Sequence, residues 1–321
     1  MEKKRPINQQ LQELKNLVPL TSPMNLTVSV GNACNFRCVY CLQRFNERED
    51  TVFLSMEDYN HILDNLLEFD SPLSQIALVS TGETLLHPEL PQMIEMAKKR
   101  GVAKKVKIIT NGSLLTPEYS DKLISAGIDQ IKISLQGLNG EDYKKVCGVD
   151  FDFDSFYNHL SYLYKHKGNC QIHLKIIDTA LNRPEEEFYS LFEDMSDTLF
   201  VEHCLDGVNF NENKYFGRAF NADICPMIFY APFIDEKLNV FPCCAVNGDV
   251  KTPFPVFGNL KTTSLKALWN GSFRKAWIDL LKGTTPDNHI CYRCQRYKSL
   301  IREEDIIDEK KDDILKKIEC L

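Results

Sequence analysis

The fold is decided by residues 25–41, which read NLTVSVGNACNFRCVYC. Residues 25–31 form a short β-rich run, which is typical of a buried parallel strand. Cys34, Cys38 and Cys41 follow directly, so three thiols lie within eight residues after the end of a strand. Cysteines in so tight a cluster are more often metal ligands than packing residues, and soft thiolates suit iron–sulfur or zinc centres.

Three thiolates at this spacing can wrap one side of a cubic four-iron cluster. Four irons and three protein ligands leave one iron open, and the amino and carboxylate groups of a substrate can chelate this iron while the cluster delivers an electron. The alternative is a zinc site, which would need a fourth ligand nearby, and no flanking residue is an obvious candidate. The pattern favours a [4Fe-4S] cluster held by Cys34, Cys38 and Cys41.

Outward from this segment, apolar β-rich runs alternate with helical patterns as far as Cys204. The first helix has a capping box at Ser55 and Asp58, and another has Thr116 as its cap. Six β/α units in series predict an α/β fold, a partial (β/α)6 barrel of parallel strands whose loops converge at the C-terminal edge. The predicted strands are 25–31, 75–80, 105–109, 130–135, 171–177 and 198–204.

Four short motifs on successive strands resemble those of the radical S-adenosylmethionine (radical SAM) superfamily. The first is C-x3-C-x2-C, with Tyr40 before its last cysteine. The second, Ser-Thr-Gly-Glu-Thr at 80–84, resembles the family's Gly-Gly-Glu, with Thr81 at the first Gly. The third is Thr-Asn-Gly at 110–112, and the fourth, Ser-Leu-Gln-Gly at 134–137, is similar to Ser-x-Asp-Gly with Gln for Asp. Each alone fits a simple strand-ending turn; the resemblance covers residues 25–204.

The resemblance implies SAM as cofactor, bound at the open iron through its methionine end. Reductive cleavage then gives a 5′-deoxyadenosyl radical, which abstracts a hydrogen atom from a substrate. It also implies an electron donor such as flavodoxin or ferredoxin. By the same resemblance, Glu83 contacts the amino group of SAM, Ser134 contacts its carboxylate, and Tyr40 lies near the adenine. The cofactor-binding residues implied in full are Tyr40, Gly82, Glu83, Asn111, Ser134 and Gln136.

A second cysteine cluster lies between residues 225 and 300, and it resembles the SPASM module in its short "twitch" form. Its cysteines are Cys225, Cys243, Cys244, Cys291 and Cys294. The resemblance implies one auxiliary [4Fe-4S] cluster held by Cys225, Cys243, Cys291 and Cys294, with Cys244 as the rival of Cys243. The family usually has Gly five residues before this ligand, where this chain has Leu238. A four-cysteine zinc ribbon is the structural alternative.

Composition narrows the class of protein and its location. The chain has 321 residues, 43% of them hydrophobic, and a net charge of −7, so it is globular and not built to bind nucleic acid through phosphates. No apolar run approaches the ~20 residues that span a bilayer, and the N-terminus lacks the apolar stretch of a secretory signal. Twelve cysteines without an export signal indicate metal ligation in the cytoplasm.

The predicted organisation has five parts, and the first of them bears on the substrate. An extension of 24 residues precedes the first strand, too few for the winged-helix leader-binding domain of many peptide-modifying relatives. This favours a small polar substrate over a peptide. The parts are the extension (1–24), the radical SAM core (25–204), a Gly- and Asn-rich linker (205–224), the auxiliary-cluster module (225–300) and a charged C-terminal helix (301–321).

The expected reaction follows from the second cluster. Four cysteine ligands leave it no substrate site, so its role is to accept an electron, which would make the enzyme a dehydrogenase of a sugar- or cyclitol-like substrate. A radical epimerase or peptide-modifying enzyme, with Cys204 as hydrogen donor, is the alternative. Asp178, His203 and Asp206 are candidate proton acceptors. A zinc-stabilised binding protein is the alternative from another class.

Overall fold

The computed structural model describes five stretches of the chain, and they divide into two compact units. None of the described helices is both long enough and apolar enough to cross a membrane. The described stretches are 14–41, 50–202, 223–244, 255–285 and 306–320. Within them, the first unit comprises 28–41, 50–59 and 75–202, and the second comprises 14–27, 60–74, 223–244, 255–285 and 306–320.

Six strands lie side by side in the order β6-β5-β4-β3-β2-β1. The pairs β3–β4, β4–β5 and β5–β6 are parallel. All six overlap the predicted strands, which confirms the α/β fold class. The strands are β1 (Asn25–Ser29), β2 (Leu73–Val79), β3 (Ala103–Thr110), β4 (Gln130–Leu135), β5 (Gln171–Ile177) and β6 (Thr198–Glu202).

Helices connect these strands, and two of them begin at the predicted caps. Ser55 Oγ accepts a hydrogen bond from Asp58 N at 3.0 Å, and Thr116 Oγ1 accepts one from Tyr119 N at 3.2 Å. Such caps satisfy backbone donors that the helix itself leaves open. The helices are α1 (Leu14–Leu17), α2 (Met56–Leu67), α3 (Leu90–Arg100), α4 (Pro117–Ser125), α5 (Gly140–Cys147), α6 (Phe153–His166) and α7 (Glu185–Phe192).

The strands of the first unit have two unlike faces. Side chains alternate along a strand, and on β4 and β5 every second residue is apolar and at most 1% exposed, as at Ile133 and Leu174. The opposite face carries half-buried polar residues, so the expectation of strands that are apolar on both faces does not hold for β4 and β5. We name this side the polar face; its members include Lys107, Lys132, Ser134, Lys175 and Glu202.

The second unit has a small antiparallel sheet in the order β7-β8-β9. Its core contains Trp277, which stacks on Phe229 with ring centroids 5.5 Å apart and is fully buried. Within the predicted C-terminal segment 301–321, residues Lys311–Glu319 form a helix, with Ile314 and Ile318 buried. The elements are β7 (Phe233–Ile234), β8 (Asn239–Phe241), β9 (Gly258–Asn259), α8 (Leu265–Leu268), α9 (Arg274–Lys282) and α10 (Lys311–Glu319).

The β7–β8 turn explains why glycine is usual at the position of Leu238. Leu238 has a φ of 66°, the left-handed region that costs a residue with a Cβ roughly 1–2 kcal/mol. The Asp235 carboxylate holds the turn, because it accepts hydrogen bonds from Lys237 N at 2.9 Å and Asn239 N at 2.8 Å. The Leu238 side chain is fully buried, and its burial offsets the backbone cost.

Candidate active site

The three cysteines of the first cluster lie on the loop that follows β1, and all are half-buried. This loop rests on the C-terminal end of α5. Arg37 N donates to Cys147 O at 3.1 Å, and Val39 N donates to Val146 O at 2.9 Å. Main-chain bonds to a helix end leave the cysteine side chains available as ligands while the backbone between them is held in place.

The loop after β2 lies against the same segment. Thr81 N donates to Gly31 O at 3.1 Å, and Glu83 N donates to Ala33 O at 2.7 Å. A Cβ at Gly82 would overlap the Ala33 carbonyl, so only glycine permits this approach. Position 81 tolerates threonine because its contact here is made by the backbone. The departure from Gly-Gly-Glu therefore falls at a position whose contact with Gly31 is made by the backbone and does not require glycine.

Glu83 connects the ends of β2 and β3. Its carboxylate accepts hydrogen bonds from Leu85 N at 2.9 Å, from Asn111 N at 2.6 Å and from the Thr110 hydroxyl. The residue is 2% exposed, and burial raises the pKa of the carboxyl while these three donors oppose the rise. Glu83 thus positions the two loops, and the structure does not test its predicted contact with the SAM amino group.

We expect Glu83→Gln to lower the free energy of unfolding by about 1–3 kcal/mol, because the amide would turn a donor toward a buried backbone N–H. Thermal unfolding of the parent and the variant measures this. Glu89→Gln is the matched control, since Glu89 is exposed and makes no side-chain cap hydrogen bond. A Glu83→Gln protein that unfolds at the parent's temperature would contradict the bridging role.

Asn111 ties the end of β3 to the cysteine loop. Its Nδ2 donates to Asn35 Oδ1 at 3.0 Å, and Asn35 Nδ2 donates to Ser113 Oγ at 2.8 Å. The following Gly112 has a φ of 77°, a conformation that L side chains rarely adopt. The Thr-Asn-Gly motif therefore has a structural reason: glycine makes the turn, and asparagine holds the residue next to Cys34.

Gln136, after β4, reaches the middle of the cysteine loop. Its Oε1 accepts a hydrogen bond from the Tyr40 hydroxyl and lies 3.7 Å from Cys38 Sγ. Cys147 Sγ lies 3.7 Å from Cys38 Sγ on another side, and a hydrogen bond from Cys147 lowers the pKa of Cys38. The neutral amide of Gln136 suits a position next to a cysteine thiolate, because a carboxylate there would repel the thiolate.

The donor set fits an iron–sulfur cluster. Burial raises the pKa of Cys34, and the nearby Glu83, Cys38 and Cys41 add to the rise. The positive irons of a cluster would favour the thiolate form against this effect. A cubic cluster would place each of the three thiolates on its own iron.

The second cysteine cluster is described in part. Cys225 and Cys243 are half-buried, and Cys244 is exposed. Cys291 and Cys294 lie outside the described residues, so the ligand set and the choice of Cys243 over Cys244 stay predictions.

Of the residues predicted as catalytic or as proton acceptors, only one lies within the part of the chain that the structure describes. Cys204, His203 and Asp206 lie outside the described residues. Asp178 follows β5, and its carboxylate accepts hydrogen bonds from the backbone N and the hydroxyl of Thr179.

Sequence reasoning missed an ion pair on the polar face. Lys175 on β5 is paired with Glu202 on β6, and their side chains are 17% and 24% exposed. Lys175 stands opposite Ser134 in the parallel register. The alternation of QIKISL and QIHLKII contained the signal, since it places Lys132, Ser134 and Lys175 on one side of the sheet.

Comparisons with known proteins agree with the motifs. The model of the radical SAM superfamily matches residues 28–195, more than half of the chain, and that of the SPASM iron–sulfur cluster-binding domain matches residues 225–295. A probable GTP 3′,8-cyclase of Methanococcus maripaludis is 36% identical over 119 residues, 37% of this chain and 38% of that protein. The chain spans less than half the length of the curated relatives it matches.

Two solved structures share the fold. BtrN in complex with AdoMet and 2-DOIA has a TM-score of 0.56 and 18% identity, over 81% of this chain and 87% of BtrN. AnSMEcpe with bound AdoMet and Cp18Cys peptide has a TM-score of 0.60 and 15% identity, over 92% of this chain and 96% of that one. At this identity the likeness concerns the fold alone.

Proposed function

This chain belongs to the radical SAM superfamily, and from that premise we propose that it oxidises a small hydroxylated substrate, of the sugar or cyclitol class, by two electrons. When bound, the SAM-binding [4Fe-4S] cluster would supply the electron for the cleavage of SAM that precedes hydrogen abstraction from a substrate C–H. Cys34, Cys38 and Cys41 would hold this cluster. We expect the enzyme to act in the cytoplasm, where thiols stay reduced and a flavodoxin or ferredoxin can donate electrons.

One observation carries the part of the proposal that concerns SAM cleavage: the cysteine loop is bonded to the ends of three successive strands. Backbone bonds join it to the loop after β2, Asn111 joins it to the end of β3, and Gln136 contacts it from the end of β4. Loops at the C-terminal edge of parallel strands are where such folds place their reactive groups. Gly82, Glu83, Ser134 and Tyr40 belong to the same edge, which supports their assignment to SAM.

Oxidation also needs a site for the second electron. After a hydrogen atom leaves the carbinol carbon, the substrate must lose a proton from its hydroxyl and one electron to become a carbonyl compound. The match to the SPASM domain implies an auxiliary cluster for that electron. Cys225, Cys243, Cys291 and Cys294 would hold it, and Glu202 and Asp178 are the carboxylates at the strand ends that could accept the proton.

We expect Cys243→Ala to separate the two steps. Iron should fall from about eight to about four per chain, since one of two four-iron clusters is lost. SAM cleavage to 5′-deoxyadenosine should persist, whereas formation of the carbonyl product should stop. Cys244→Ala is the matched control and should retain both clusters. The reverse pattern would assign the ligand to Cys244.

The experiment that tests the function uses anaerobically reconstituted enzyme, SAM, a reductant and polyols carrying deuterium at each carbinol carbon in turn. Deuterium in 5′-deoxyadenosine together with a ketone or aldehyde product supports the proposal. A product that is an epimer carrying hydrogen from solvent, and whose formation is lost in Cys204→Ala, would replace it with epimerisation. A protein that binds zinc and never forms 5′-deoxyadenosine would remove the enzymatic function altogether.

A further inference from the structure

Three lysines form a diagonal row across the polar face. Lys107 on β3 stands opposite Gln130, Lys132 on β4 stands opposite His173, and Lys175 on β5 stands opposite Phe200. On β4 and on β5, the lysine therefore lies two residues beyond the residue that faces the lysine of the preceding strand. Side chains at such diagonal positions are within reach of one another when they are long.

Two of these lysines converge on β6. The Lys132 ammonium lies 5.2 Å from the centroid of the Phe200 ring, so this side chain extends across β5. Lys175 neighbours Phe200 in the register and is ion-paired with Glu202. Two ammonium groups and one carboxylate thus gather around Phe200 on one patch of the sheet.

The patch is positive in an acidic protein. The chain carries a net charge of −7, yet the row consists of three cations. The pKa of His173 is lowered to about 4, first by burial and then by the charge of Lys132, with smaller contributions from Lys107 and Lys105 that Asp197 opposes. The lysine charges are therefore felt at this face of the sheet. Like charges on neighbouring strands cost stability, and such costs are typical of functional sites.

We propose that Lys132 and Lys175 bind an anionic group of the substrate, a phosphate or a carboxylate, on the polar face beside Ser134. This inference rests on the proposed function, since Ser134 is the residue assigned to SAM and stands opposite Lys175. Lysine is a point-charge ligand for such groups, and a half-buried ammonium is screened less than one in open water. The substrate would therefore be a sugar or cyclitol that carries a phosphate or an acid group.

Calorimetric titration of the reconstituted enzyme, with SAM present, tests the proposal. The probes are glucose 6-phosphate, glucuronate and glucose. We expect at least one of the two anions to bind, glucose not to bind at the same concentration, and the anion's affinity to fall as salt rises. The tighter of the two anions identifies the group as phosphate or carboxylate. Equal binding of glucose and both anions, or no binding of any probe, would overturn the proposal.

Variants show whether these lysines are responsible. Lys132→Met and Lys175→Met should each weaken anion binding about tenfold to a hundredfold, the value of a charge-assisted hydrogen bond. The double variant Lys175→Met, Glu202→Gln removes both charges of the ion pair, so that no half-buried carboxylate is left without its partner. Lys122→Met is the matched control, because Lys122 is also ion-paired, with Glu118, but is exposed on α4.

Two outcomes separate this proposal from others. If Lys175→Met weakens the affinity for SAM and leaves anion binding intact, the lysine serves the cofactor and the inference is wrong. If anion binding depends on the lysines but no 5′-deoxyadenosine or carbonyl product forms, the proposed function fails while the anion site stands.

Discussion

Replacing Cys34, Cys38 and Cys41 together with Ala is expected to reduce 5′-deoxyadenosine formation to the level of a blank without enzyme. These thiols are the only protein ligands predicted for the cluster that leaves one iron open to SAM, and without them SAM has no electron source. The measurement is chromatographic quantification of 5′-deoxyadenosine under anaerobic reducing conditions. Iron content should fall from about eight to about four per chain, because the auxiliary cluster has its own ligands.

Cys170→Ala is the control for the triple variant. Cys170 is a buried thiol that directly precedes β5 and belongs to neither cluster, and burial raises its pKa to about 12. Its loss should leave both iron content and SAM cleavage as in the parent. Retention of SAM cleavage by the triple variant would refute the assignment of the first cluster, and with it the proposed function.

Gly82→Ala is expected to lower the rate of SAM cleavage about a hundredfold, although it adds a single methyl group. The new Cβ would overlap the Ala33 carbonyl, which is next to Cys34 and is the acceptor for Glu83 N. Relieving that overlap must move the cysteine loop relative to the β2 loop. A displacement of about 1 Å at a reacting site costs roughly this much in rate.

The matched control is Gly271→Ala, in the second unit, where an added Cβ would meet no atom within 4 Å. This variant should cleave SAM at the parent rate. SAM affinity and iron content, measured in both variants, separate a misplaced loop from a lost cluster. A Gly82→Ala enzyme that works within twofold of the parent would show that the close approach at Ala33 has no catalytic consequence.

Local sequence patterns were sufficient to predict much of the fold. The runs at 130–135 and 171–177 were predicted to the residue, because short β-rich segments between helical patterns leave few alternatives. The caps at Ser55 and Thr116 were likewise predicted, since a side chain capping a helix start contacts only its neighbours in sequence. The assignment of Cys34, Cys38 and Cys41 as cluster ligands rests on the same kind of local pattern, because all three lie on one loop, and it stays a prediction.

The roles of side chains that contact residues on separate strands were harder to predict from the sequence. Gln136 differed from the usual Asp of the motif, and only its closeness to Cys38 and Tyr40 gives that difference a reason. Cys147 carried no pattern in the sequence, yet it lies 3.7 Å from Cys38. These contacts join residues about 100 positions apart, so no local period or spacing encodes them.

The sequence by itself therefore determined the class of fold and where its six strands lie along the chain, because both depend on neighbouring residues. The three thiols of the first cluster are a prediction from neighbouring residues in the same way. Only the tertiary structure decided that Glu83 joins two loops, that Gly82 lies against Ala33, and that Lys132 of β4 reaches the Phe200 ring on β6. The physical reason is register. Which residues face one another across parallel strands depends on how helices of unequal length bring the strands together, and a single strand's sequence does not contain that information.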